Sequence, residues 1–122
     1  MREPLRDRER LEHILAAIDR FARYTSGKTY DDLVADDMMY YAVVKNIEII
    51  GEAANMLTSD FQNVHPEVPW KKVKGMRNYI VHEYFQIDDL VVWDVVTNSL
   101  VELREHIVRY IFETNWEDWE KE

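Results

Sequence analysis

The stretch DMMYYAVVKNIEIIGEAANML, Asp37 to Leu57, decides how the chain is read. Wound as a helix, it is apolar nearly all round: Met38, Met39, Val43, Val44, Ile47, Ile49, Ile50, Ala53, Ala54, Met56 and Leu57. Its polar residues Lys45, Glu48, Glu52 and Asn55 fall at i, i+3, i+7 and i+10, one narrow strip of helix surface. A helix of this kind is buried on more than one side. In a chain of 122 residues, that points to the centre of a bundle or to a surface shared between subunits.

The neighbouring segments read the same way. Only three glycines and three prolines interrupt the chain, so long helices are expected. Upstream, Leu11, Ile14, Leu15, Ile18, Phe21 and Ala22 recur at helical spacing and predict a helix from about Leu5 to Tyr24, with Gly27 as its stop signal. A short helical turn fits Tyr30–Ala35. Downstream, HPEVPW is a break, and Pro69 suits the first position of a helix running from Trp70 to Glu83. FQIDD is a second break, with Asp88 or Asp89 as N-cap. Val92, Val96, Leu100, Leu103, Ile107 and Tyr110 mark the core stripe of a last helix over Leu90–Phe112. The expectation is one all-α domain over residues 1–122, an up-down bundle of four to five helices.

Composition narrows the chemistry. Apolar residues make up 47% of the chain, which suits a globular fold rather than disorder. There is no cysteine, which excludes disulfides and thiolate metal sites and fits a reducing cytoplasm. No apolar run is long enough to span a bilayer, and MREPLRDRER lacks the apolar centre of a signal peptide. The net charge is −9, which argues against general nucleic-acid binding. Locally the balance reverses. Lys71, Lys72, Lys74 and Arg77 form a basic patch suited to RNA phosphates. The acidic pairs Asp31–Asp32, Asp36–Asp37 and Asp88–Asp89 sit at expected helix starts, where they complement the dipole.

Just past that patch, GMRNYIVHEYF (Gly75–Phe85) sets Arg77, His82 and Tyr84 among apolar residues. An amphipathic helix whose exposed face happens to carry them is the plain alternative, because short spacings recur by chance. In a straight helix Arg77 and Tyr84 share a face and His82 points elsewhere. For the three to act together, the helix must end or distort near His82, or two chains must share one cleft, as a C2 dimer allows. Histidine moves protons near neutral pH, arginine clamps phosphate oxygens, and tyrosine stacks on bases or hydrogen-bonds. The set suits metal-free RNA cleavage. Metal and nucleotide motifs are missing: no Glu-x-x-His pair, no H-E-x-x-H, no P-loop and no G-x-G-x-x-G. Lys45, Glu48, Glu52 and Asn55 read either as a solvated face or as support for Arg77 and His82. Trp116 and Trp119 read as a partner-binding edge or as residues packed onto the last helix.

The segment VPWKKVKGMRNYIVHEYFQID (Val68–Asp88) resembles the hallmark of the HepT-like branch of the HEPN superfamily. The matching residues are Pro69, Trp70, Gly75, Met76, Arg77, Asn78, His82, Tyr84 and Asp88. NIEIIGEAAN (Asn46–Asn55) is similar to that branch's Ile-Gly-Glu-Ala-Ala element. The likeness covers essentially the whole chain. It implies a homodimeric, metal-independent endoribonuclease toxin acting on RNA, tRNA in several members, with no cofactor. It implies that Arg77 and His82 are catalytic and Asn78 supports them, with an orienting role for Glu52. It further implies a minimal nucleotidyltransferase antitoxin that adds AMP to Tyr84, in a type VII toxin–antitoxin pair. Two other readings stand beside it: a non-catalytic HEPN module that binds a nucleotidyltransferase or a nucleotide, and a purely structural helical dimer.

Overall fold

The computed structural model of the chain describes residues 6–82 and 89–119, with the backbone alone over 77–82 and at 89. The described residues hold helices and no strand. The helices are α1 (Asp7–Thr25), α2 (Tyr30–Ala35), α3 (Asp37–Asn55), α4 (Ser59–Val64), α5 (Trp70–His82), α6 (Asp89–Asp94), α7 (Leu100–Glu113) and α8 (Trp116–Trp119), with a π-helical turn over Val95–Ser99 joining α6 to α7. The all-α bundle expected from the helical periodicities is the fold observed.

Local chemistry sets most boundaries. Gly27 adopts φ +71° two residues after α1 ends, a conformation that glycine accepts without strain. Thr29 and Asp32 form a reciprocal capping box: the Asp32 N–H donates to the Thr29 hydroxyl (3.2 Å) and the Thr29 N–H to the Asp32 carboxylate (2.9 Å). Those bonds hold the Asp32 carboxyl below its ordinary range. Asp36 caps α3 by accepting the Met39 N–H. Pro69 lies one position earlier than expected. Its carbonyl accepts the N–H groups of Lys72 and Val73, so it precedes α5 rather than opening it. Asp88, offered as the cap of α6, lies outside the described residues.

Packing follows the predicted stripes with two corrections, at Ala22 and in the last helix. Leu11, Ile14, Ile18 and Phe21 are buried, as are all six residues of the last stripe. Ala22, expected in the α1 stripe, is exposed. Helix α3 is buried on two sides, against α1 and α5. Its third side is open: Met38 is 85% exposed and Tyr41 70%, so the helix is not enclosed all round. The last helix is not a continuous α-helix either. Val92, Val96 and Leu100 follow at four and four residues, which would drift by about 40° per step on an α-helix. The wider π turn keeps all three buried.

Two buried polar groups fix helix directions. Asp7, 5% exposed, accepts the N–H of Thr58 (2.9 Å), its hydroxyl (2.7 Å) and the indole N–H of Trp119 (3.0 Å). Asn46, also 5% exposed, accepts from the Arg20 guanidinium at 2.9 Å and donates to the Ala42 carbonyl. The start of α1 therefore lies at the end of α3, and the two helices run antiparallel.

Candidate active site on helix α5

Helix α5 begins at an aromatic hub. Phe61 of α4 is fully buried and meets His65, Trp70, Tyr110, Trp116 and Trp119 at ring separations of 4.5 to 6.4 Å. The Trp70 indole donates to the His65 carbonyl at 2.9 Å, and Val73 is buried one turn later. Trp116 and Trp119 belong to this hub, so the packing alternative for them is the one realised. A six-residue helix such as α4 is unstable alone and persists through contacts of this kind.

Beside the hub stand His65, Glu67, His106, Arg109 and Tyr110. The Tyr110 hydroxyl donates to Glu67, and that bond holds the Glu67 carboxyl below its ordinary range. Burial, reinforced by the same bond, pushes the phenol up, so Tyr110 stays a neutral donor. The His65 ring lies 3.9 Å from that of Tyr110, and Arg109 reaches His106 at 2.8 Å. The cluster anchors the chain at the Trp70 end of α5. Nothing in the residue spacing announced it, because its members come from α7 and the loop before α5.

From the hub, α5 runs antiparallel to α3. Ile47 of α3 lines one groove with Lys72, Gly75 and Met76 of α5, which sets the relative height of the two helices to within about a turn. Lys71 and Lys72 are exposed, while the Lys74 ammonium donates to Gln62 at 3.1 Å. The α-helical backbone continues through Arg77 and Asn78 to His82. Their side chains, and the whole of Tyr84, lie outside the described residues. Glu52 is exposed on the outer face of α3. It stands on the order of 10 Å further toward the Trp70 end than Arg77, at 1.5 Å per residue.

The groove itself has a volume of about 240 Å³ and separates α5 from α6 and the π turn. Its walls are apolar apart from Lys72: Ile47, Met76, Val91 and Val95. Gly75 lies on it, and a Cβ there would meet nothing within 4 Å. Leu90 and Val91, at 62% and 44% exposure, continue the apolar surface outward. Among the described residues, no group of three His, Cys, Asp or Glu side chains is placed to hold a metal ion. No described helix is long and apolar enough to cross a membrane.

Known proteins give this helix a context. The Ribonuclease HepT-like family profile matches residues 14–110, which takes in α5 and most of the bundle. A protein of Caldanaerobacter subterraneus named as an RNase is 35% identical over 97 residues, covering 80% of this chain and 87% of its own. A probable ribonuclease HepT of Thermococcus cleftensis is 35% identical over 94 residues, covering 77% and 86%. An RNase-named protein of Methanocaldococcus jannaschii is 33% identical over 97 residues, covering 80% and 89%. No solved structure matches the chain. With a family match across the bundle and relatives aligned over most of both chains, this protein belongs to the HepT-like ribonuclease family.

Proposed function

We propose that this HepT-like ribonuclease is the toxin of a toxin–antitoxin pair, a single HEPN-like domain that cleaves tRNA in the cytoplasm as a homodimer. The observation that carries the reading is the intact pair G-M-R-N and H-x-Y, at Gly75–Asn78 and His82–Tyr84, in a chain that the HepT-like ribonuclease family matches over residues 14–110. Arg77 and His82 of both protomers line one cleft. The RNA 2′-hydroxyl attacks the adjacent phosphorus, an O2′–P bond forms and the P–O5′ bond breaks. Imidazole takes the hydroxyl proton and returns one to the leaving oxygen. The guanidinium neutralises the charge gathering on the phosphorane. Asn78 and Glu52 support these groups, and Lys71, Lys72 and Lys74 hold flanking phosphates. The open groove beside Gly75 supports the dimer, because a helix interior glycine that nothing crowds leaves room for a second chain to approach closely.

A minimal nucleotidyltransferase antitoxin silences the enzyme by adding AMP to Tyr84. The added bulk and negative charge occupy the phosphate site. The acidic total, −9, favours a second reading, a module that binds the nucleotidyltransferase and cleaves nothing. RNA digestion by the purified dimer in a chelator separates the two. Cleavage should appear and should vanish in Arg77→Ala and His82→Ala with helicity unchanged. Cleavage surviving in both variants overturns the assignment of these residues, and none in the parent favours the module.

A further inference from the structure

The open side of α3 carries a ridge that none of the roles above uses. Met38, Tyr41 and Lys45 follow at three and four residues and so stand on one helix face. Met38 is 85% exposed and Tyr41 70%. The Tyr41 ring is set at 90° to that of half-buried Tyr40, with centroids 6.0 Å apart, which steadies it while leaving ring surface in solvent. The Lys45 ammonium is 3.8 Å from Glu48, and both side chains are solvent-accessible. Such a pair contributes little and exchanges readily for a phosphate.

The ridge sits at the reactive end of α5. Ile47 lines one groove with Lys72, Gly75 and Met76, which places it within that turn of α5. Tyr41 lies six residues before Ile47, and His82 lies six residues after Met76 on the antiparallel neighbour. Both displacements are about 9 Å in the same direction. The Tyr41 and His82 backbones therefore lie within about a helical turn of one height on packed helices, whose axes are typically about 8–10 Å apart.

We infer that Tyr41 is a stacking platform for a nucleobase beside the scissile phosphate, with Lys45 holding the neighbouring phosphate. An exposed aromatic ring with a cation one turn away matches the two surfaces of a single-stranded nucleotide, its base face and its phosphate. The ridge is too small for a protein partner. A stable interface takes roughly 20–30 residues a side, and this one is bounded by Asp36 and Asp37 before it and by Glu48 and Glu52 after it. The inference rests on the ribonuclease reading, since it names how the substrate of that site is held.

Binding to a single-stranded oligoribonucleotide fully 2′-O-methylated, and hence uncleavable, tests the platform apart from catalysis. Tyr41→Ala should weaken binding roughly five- to hundredfold, and Tyr41→Phe should retain it. In cleavage of unmodified RNA, Tyr41→Ala should raise KM with little change in kcat. Wild-type affinity in Tyr41→Ala overturns the platform, as does a parent chain that does not bind the strand. So does a change of oligomeric state in Tyr41→Ala by sedimentation velocity, which would assign the ridge to a second copy. A parent that binds but never cleaves removes the ribonuclease and leaves the platform standing. Loss of cleavage in His82→Ala alongside unchanged binding in Tyr41→Ala does the reverse.

Discussion

The two ends of α5 are built on opposite principles. At the Trp70 end, one buried ring, Phe61, ties together residues from α4, α5, α7 and α8, and Asp7 accepts two hydrogen bonds from Thr58 and one from Trp119. From Lys72 to Met76, past that anchor, the helix is flanked by a groove of about 240 Å³, a glycine with empty space over it and the exposed Leu90 and Val91. Close packing holds a structure together but leaves no space for a substrate. A reactive segment is best placed where the bundle has spare surface, on a helix whose other end is anchored. The difference teaches that the anchor of α5 and the proposed reactive residues Arg77 and His82 occupy separate parts of one element.

That division can be broken by experiment. The largest effect is expected at the reactive end. His82→Ala should lower the RNA cleavage rate by roughly 10²–10⁴-fold, the span of general acid–base catalysis, with an unchanged Tm. A large fall in Tm would mean that His82 is structural and the contrast false. At the anchored end the pattern should invert. Phe61→Ala should cost about 3–5 kcal/mol in urea unfolding, with the rate per folded molecule preserved. A smaller cost would show that the hub closes over the missing ring.

Gly75→Ala sharpens the comparison from the open side. A Cβ there enters open space, so helix propensity alone should stabilise the dilute monomer by up to about 1 kcal/mol. On the proposed dimer, the same methyl should raise the dissociation constant in sedimentation by filling the space over Gly75. Tighter dimers in Gly75→Ala would place the partner elsewhere.

The smallest effect concerns the Tyr110–Glu67 bond. Its carboxyl is held below the ordinary range in the folded state, so folding favours the ionised form. That stabilisation is complete above the unfolded value and is lost as pH falls through the lower folded one. Stability measured on descending pH should therefore fall less steeply in Glu67→Gln than in the parent. Parallel profiles would remove Glu67 from the anchor.

The sequence was most legible where one local rule decided the outcome. The long helices, the acidic starts at Asp31–Asp32 and Asp36–Asp37, the stop at Gly27 and the buried stripes follow from periodicity and turn chemistry, because those depend on neighbours within a turn or two. The motif carrying Arg77 and His82 could be read for the same reason, as a contiguous string. Asn46 and Asp7 could not be read fully. A polar residue at a core position of α3, three after Val43 and four before Ile50, signals that a partner exists without naming Arg20. Asp7 gave no signal at all, since its partners lie 51 and 112 positions away.

The amino-acid order alone determined that this chain forms helices, where most of them start and stop, and which string of residues carries the family motif. Only the tertiary structure decided which end of α5 is clamped, which face of α3 stays open, and that a π turn keeps Val92, Val96 and Leu100 in line. The physical reason is range: helix formation is settled by hydrogen bonds four residues apart, whereas burial is settled by what the rest of the chain brings to each face.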